Sequence, residues 1–338
     1  MREVARAAGV SVPTVSNVLN RSGRFGEETR RRVERAVADL GYVRRWTARG
    51  LRSDRAGQLA YLIADTTSRF FERSYHQEVL AGLAEVARGS GYAVVLQGSM
   101  RRESELRSPL LDGRADGAVV SISGTPARRL LQVEMLAAIG RPIVTLDEPA
   151  PPEGVATVVG ADAAAVGQAV DHLVSVGHER IALLIGKKRW PDVEAKERGF
   201  RAALQAHGIE GGARLVERIG NGSRGETIPE IAARATTSLL RGPSAPSALV
   251  GGSDQICTGI LRAVRSLGLE IRREVGVVGI LDEHVASSLL ETPLTAVQIS
   301  RFEMGRRAGE LLLARLETGS FPSSATYVPA RLVVRESA

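Results

Sequence analysis

The sequence predicts an α/β core of two lobes, each a parallel sheet flanked by helices, preceded by a small all-α head. Three observations predict it. From Gln58 onward, near-continuous Val/Ile/Leu runs alternate with amphipathic stretches, the pattern of parallel strands covered on both faces. These units outnumber what one small sheet holds, and the proline-rich break at 149–152 divides them into two lobes of similar size. Ahead of Gln58, short helical patterns coincide with an excess of arginine.

In the head, Val4, Ala5 and Ala8 fall on one face of a helix over 2–8, and Gly9 can close that helix with a positive φ. The chain restarts at once. Ser11 is a good N-cap, Pro13 is tolerated in a first helical turn, and Val15, Val18 and Leu19 form the inward stripe of a second helix. A third helix, 27–40, turns Val33, Ala36, Val37 and Leu40 inward and stops at Gly41. Two short helices about a glycine turn make a helix-turn-helix, whose second helix offers its early residues to base edges in a major groove. A purely structural helical hairpin shares the turn and the spacing. What separates the two is the outward face: Val12, Pro13, Thr14, Ser16, Asn17 and Asn20 carry no charge, which suits hydrogen bonds and thymine-methyl contacts better than a solvated surface.

The charge distribution agrees. Of the formal net charge of +7, residues 1–57 supply all: thirteen arginines against six acids, leaving 32 basic and 32 acidic side chains beyond. A basic segment joined to a balanced body is the electrostatic footprint of a nucleic-acid-binding domain. Arg44, Arg45, Arg49 and Arg52 surround Trp46, Ala48 and Leu51 in a stretch too short and too basic to pack as a core. At 338 residues, 43% hydrophobic and 25% charged, the chain is expected to be globular with two or three domains. The lone Cys257, the absence of a membrane-length apolar run and the charged start predict a cytoplasmic protein.

Strands are expected at 59–64, 92–97, 117–121, 142–146, 155–159, 180–185, 248–251 and 275–280, with helices at 75–88, 163–176, 194–206, 255–267 and 300–318. Ligands in such folds bind beyond the carboxyl ends of the strands. There the sequence gathers Ser68, Arg69, Phe70 and Phe71, then Arg101 and Arg102, Asp147, Lys187 to Trp190 with Lys196, Ser253 and Asp254, and Asp282. Carboxylates, cations and aromatic rings together can hydrogen-bond a polyhydroxylated ligand and stack on its apolar faces. Catalysis finds little support: the five histidines are scattered, and no Gly-x-Ser-x-Gly, P-loop, dinucleotide fingerprint or Cys/His metal spacing is present. No metal or cofactor is expected.

Val4 to Ser11, Thr14 to Asn20, Glu28-Thr29-Arg30 and Leu40-Gly41-Tyr42 closely resemble the DNA-binding head of the LacI/GalR family of bacterial transcription regulators. Ala48 to Arg52 resembles that family's hinge. Gly177 to Ile181, Gly199-Phe200 and Ser253-Asp254-Gln255 resemble its regulatory core, which is similar to periplasmic sugar-binding proteins. Several features depart from the pattern: Arg44-Arg45 replaces the usual hinge Pro-Asn, Gly50 lies inside the hinge helix, Lys196 stands three residues before Gly199 where an arginine commonly grips the effector, Ser253 replaces a frequent Asn or Gly, and one extra residue precedes Asp282.

The resemblance implies a head at 1–43, a hinge at 44–57 and a core at 58–338. Within the core, one subdomain is expected at 58–157 plus 288–318 and the other at 158–287 plus 319–338. It implies a homodimeric regulator, a repressor rather than an activator and not an enzyme, reading a near-palindromic operator under control of a sugar or sugar derivative. DNA contacts are expected from Ser11, Val12, Pro13, Thr14, Ser16, Asn17, Asn20, Arg30, Arg45, Arg49 and Leu51. Effector contacts are expected from Phe70, Phe71, Arg101, Asp147, Trp190, Lys196, Ser253 and Asp282. A sugar receptor without DNA binding and a metabolic enzyme on the same scaffold are the alternatives; the basic head opposes the first, and the missing catalytic pair the second.

Overall fold

The structure, a computed structural model, describes residues 2–19, 25–40, 55–64, 74–99, 103–209, 215–220, 225–282 and 293–338. The chain divides into two compact units, 1–56 and 57–338.

The first unit holds α1 (Arg2–Ala8), α2 (Val12–Leu19) and α3 (Glu27–Asp39). Gly9, at φ 61°, lets the chain turn: its N–H bonds Arg6 O at 3.3 Å and the Val10 N–H bonds Ala5 O at 3.0 Å. These two bonds satisfy carbonyls that the end of α1 would leave unpaired. Val4, Ala5, Ala8, Val15, Val18, Val33 and Ala36 form the core. Such small side chains bury little apolar area, so the head's stability is modest.

The second unit contains two six-stranded sheets. In the first, β1 (Gln58–Ala64), β2 (Ala93–Ser99), β3 (Gly117–Ile122), β4 (Ile143–Leu146), β5 (Ala156–Gly160) and β11 (Ala325–Val328) run in the order β11-β5-β4-β3-β1-β2. In the second, β6 (Ile181–Gly186), β7 (Val216–Ile219), β8 (Ala248–Gly251), β9 (Gly276–Asp282), β10 (Thr295–Ile299) and β12 (Ala330–Val333) run in the order β12-β10-β9-β8-β6-β7. Every described pairing is parallel except β10 with β12. Helices α4 (Ser74–Gly89), α5 (Glu103–Leu111), α6 (Pro126–Ala137) and α11 (Arg301–Thr318) accompany the first sheet. Helices α7 (Asp162–Ser175), α8 (Pro191–Ala206), α9 (Ile228–Arg241) and α10 (Asp254–Ser266) accompany the second. The Gly199-Phe200 pair has a packing reason: a Cβ at Gly199 would lie 2.1 Å from Ala163 O, so only glycine lets α8 come so close to α7.

All eight expected strands and all five expected core helices are present, their ends shifted by a few residues. The lobe boundaries differ. The 149–152 break is the connection between β4 and β5 inside the first lobe. The chain passes between lobes three times: from β5 to α7, from β10 to α11, and from β11 to β12. Thr295–Ile299 therefore belongs to the second lobe and Ala325–Val328 to the first, the reverse of their expected places. Each lobe borrows an edge strand from a returning segment, and such short strands leave little periodicity to read.

Candidate functional site

Helix α2 begins as expected. Ser11 Oγ accepts from the Thr14 N–H at 3.2 Å and lies 2.8 Å from Thr14 Oγ1. Ser11, Val12, Pro13 and Asn17 are exposed and Thr14 is half-buried. Ser16 is not on the outward face: it is 6% exposed. It borders the Val15–Val18 stripe, and its side chain is too short to clear its neighbours. The uncharged outer surface is thus narrower than expected, centred on Val12, Pro13 and Asn17. Along α3, Arg30, Arg31, Arg32 and Arg35 are exposed. The Nε of Arg30 pairs with Glu34 at 2.8 Å, both side chains about half exposed, a geometry that holds the guanidinium loosely. Asn20, Arg45, Arg49 and Leu51 lie outside the described residues.

The described part of the region between the lobes is a buried charge cluster. Asp147 ends β4 with φ 58°; its Oδ1 accepts from the Gly160 N–H at 2.8 Å and its Oδ2 from the Tyr75 hydroxyl at 2.6 Å. Arg301, opening α11, donates to Asp162 Oδ1 at 2.6 Å and stands 4.9 Å from the centre of the Tyr75 ring. Lys196 reaches Asp162 and Asp192, each at 2.9 Å. Because Asp162 and Arg301 begin the helices that follow two of the three inter-lobe crossings, their ion pair ties those crossings together. Beside the cluster, Tyr61 Oη and His76 Nδ1 are 2.8 Å apart, and the His76 ring meets Trp190 edge-on at 5.2 Å.

Three of the expected effector residues, Asp147, Trp190 and Lys196, are engaged with neighbours inside the protein. Lys196 pairs with two carboxylates and is 4% exposed, and Trp190 is 3% exposed with its ring against His76. Their burial follows from sitting where α8 enters the seam between lobes. Ser253 is half-buried and caps α10, accepting from the Ile256 N–H at 3.3 Å. Across the seam, Ser74 Oγ donates to Asp254 Oδ1 at 3.3 Å. Asp282 closes β9, its side chain outside the description, as are Phe70, Phe71 and Arg101 altogether. The sequence reading missed Tyr75, Asp162, Asp192 and Arg301. Of these, Asp192 alone had a local signal, the four-residue helical spacing to Lys196.

Among the described residues three carboxylates face two cations, so a proton on Asp147 balances those charges. Burial pushes the Asp147 carboxyl up to about 7, with Arg301 opposing and Asp162 and Asp192 reinforcing the rise. Burial and the Asp147 charge hold the Tyr75 hydroxyl well above its ordinary value. Burial would lower the Lys196 ammonium, but Asp162 and Asp192 outweigh it and raise its pKa.

Asp147 holds its proton more tightly in the folded protein than in the unfolded chain. The stability it contributes is therefore full below its ordinary 3.8 and lost as pH rises through about 7. Replacing Asp147 with asparagine removes this slope, at most about 1.4 kcal/mol per pH unit. Melting curves of both proteins from pH 5 to pH 8 should show wild type losing ground to the variant; a difference constant across pH refutes the shared proton.

Comparison with known proteins fixes the family. Residues 1–45 match the model for bacterial regulatory proteins of the lacI family, and residues 170–338 match the periplasmic binding protein-like domain. The HTH-type transcriptional regulator reg1 of Streptomyces lividans is 31% identical, the alignment covering 100% of this chain and 96% of that protein. The chain belongs to the LacI family. Further relatives matching this LacI-family chain over its full length at 26–27% identity are repressors. Among solved structures, the complex of the transcriptional regulator CelR with cellobiose has a TM-score of 0.73 at 27% identity, covering 99% of this chain and 98% of that one. The lac repressor dimer bound to operator and the anti-inducer ONPF has a TM-score of 0.82 at 24% identity, covering 99% and 97%. This LacI-family protein is a DNA-binding transcription regulator and not an enzyme; its head binds DNA and its larger unit is a periplasmic-binding-protein-like ligand domain. Among the described residues, no helix is long and apolar enough to cross a membrane, and no His/Cys/Asp/Glu group could hold a metal ion.

Proposed function

We propose that the chain acts as a cytoplasmic homodimer that represses transcription from a near-palindromic operator and responds to a sugar or sugar derivative held between the lobes. The observation that carries the DNA half is the uncharged, exposed start of α2 beside the arginine face of α3. In this reading the head is 1–43 and the hinge 44–57, with the core beyond. Val12 meets a thymine methyl, Asn17 pairs with an adenine edge, and Ser11, Thr14 and Pro13 bring the helix start against the backbone. Ser16 and Asn20 flank that contact. Arg30, Arg45 and Arg49 contact phosphates, and Leu51 wedges a minor-groove step, bending the duplex.

The effector half rests on the likeness to the CelR–cellobiose complex and on the polar, aromatic character of the strand ends. Phe70, Phe71 and Arg101, with Ser253 and Asp282, line the ligand space. Asp147, Trp190 and Lys196 act from behind it, fixing the angle between the lobes that the ligand sets. Coupling between the two sites of about 1–3 kcal/mol is ordinary for such regulators.

A duplex containing the near-palindrome upstream of the protein's own gene should bind tightly at low salt, with affinity falling steeply as salt rises. Sugars that raise the melting temperature should also change that affinity. Absent or salt-insensitive DNA binding refutes the first half of the proposal, and no sugar response in either assay refutes the second.

A further inference from the structure

A recess is lined by residues that take no part in the buried cluster. Lys187 and Arg189 follow β6 on one side, Arg218 lies on β7, and α8 contributes Glu194, Glu197, Arg198 and Arg201; Pro126, at the start of α6 in the other lobe, completes the wall. The space is about 590 Å³, within the range of sites that take a small metabolite, about 300–1,000 Å³.

Five cations face two carboxylates, leaving three positive charges. Both carboxylates are already engaged. Glu194 receives Arg189 at 2.8 Å and, from behind, the buried Arg129 at 3.0 Å. Glu197 receives Arg201 at 2.7 Å and also Arg218. These pairs hold three guanidinium groups in place around the recess, while Lys187 and Arg198 are exposed and make no ion pair among the described residues. Preorganised arginine forks with a lysine beside them suit the oxygens of a phosphate group. The recess also straddles the seam: next to it the Gly124 N–H of the first lobe bonds Arg189 O of the second at 2.9 Å.

We propose that this recess, built from the second lobe with Pro126 of the first at its edge, binds a compact, multiply charged anion of the phosphorylated-metabolite class. Its occupant is separate from any sugar bound between the lobes, and the inference does not depend on that reading. An anion here neutralises the repulsion among Lys187, Arg189 and Arg198 and holds the seam shut.

The test uses the full-length protein with inorganic pyrophosphate as probe, titrated calorimetrically at fixed ionic strength. Two variants are compared: Lys187→Ala with Arg198→Ala, and Arg31→Ala with Arg32→Ala as a control for the basic head. All four side chains are exposed. The expected result is saturable binding to one site per chain, weakened at least about tenfold by the first pair of changes, as losing charge-assisted bonds requires, and unaltered by the second. Binding that never saturates, that survives the Lys187 and Arg198 changes, or that is lost with the head arginines overturns the proposal.

Discussion

Replacing Asn17 with alanine should weaken operator binding by about 30-fold to 3 × 10⁴-fold while leaving the melting temperature of the protein essentially unchanged. The magnitude follows from symmetry. A bidentate amide contact to a base is worth about 1–3 kcal/mol, and a dimer on a near-palindrome makes it twice, about 2–6 kcal/mol in all. Stability is spared because Asn17 is exposed on α2 and alanine is the better helix former. Arg30→Ala provides the contrast. Arg30 pairs with its exposed neighbour Glu34 and faces phosphate in this reading, so its loss should weaken all sequences alike and flatten the salt dependence. Competition binding against a pool of duplexes recovered by selection separates the two: Asn17→Ala relaxes preference at one base pair in each half-site. If Asn17→Ala binds the selected operator as tightly as wild type, α2 does not read it in the manner proposed.

What could be read from the sequence was what is decided locally. The α1–α2 turn was legible because Gly9 and Ser11 act through bonds to residues within five positions. The central strands were legible because burial on both faces demands continuous apolar runs, as in β3 and β4. Helix α9 also carried a local signal that went unread. Its capping box, in which the Thr227 N–H bonds Glu230 Oε2 at 2.8 Å, is written as Thr-x-x-Glu. Strands β11 and β12 gave nothing comparable, being four residues long and half exposed. Ser16 was misplaced because helical spacing puts it at the margin of the apolar stripe, where the neighbours' bulk decides burial. The charge cluster was the least accessible, since Asp162 and Arg301 stand 139 positions apart and meet only because the chain crosses repeatedly between lobes. Sequence reading therefore found the cations and rings that approach the cleft, but could not tell which of them are neutralised inside the protein.

Arg301→Met should be the most destabilising single change at that seam, about 3–5 kcal/mol, because it leaves Lys196 as the one described cation for the buried carboxylates Asp147, Asp162 and Asp192. Against a total of about 5–15 kcal/mol for a typical domain, this is a large fraction, visible as a lower urea midpoint for the ligand domain. The geometry says why methionine's similar length does not help. Arg301 meets Asp162 Oδ1 at 2.6 Å, contacts the Met304 sulfur at 3.2 Å and covers the Tyr75 ring, and no thioether supplies those donors. One further readout distinguishes a lost charge from lost packing. Arg301 holds the Asp147 carboxyl down against burial, so removing it lifts that group above about 7. The pH at which the folded state finally loses its stabilising proton then moves upward, with stability still highest on the acid side. Pairing the change with Asp162→Asn should recover part of the loss, since a neutral amide no longer needs the guanidinium. An Arg301→Met protein with wild-type urea midpoint and unmoved pH profile contradicts the role of this ion pair in fastening the two crossings.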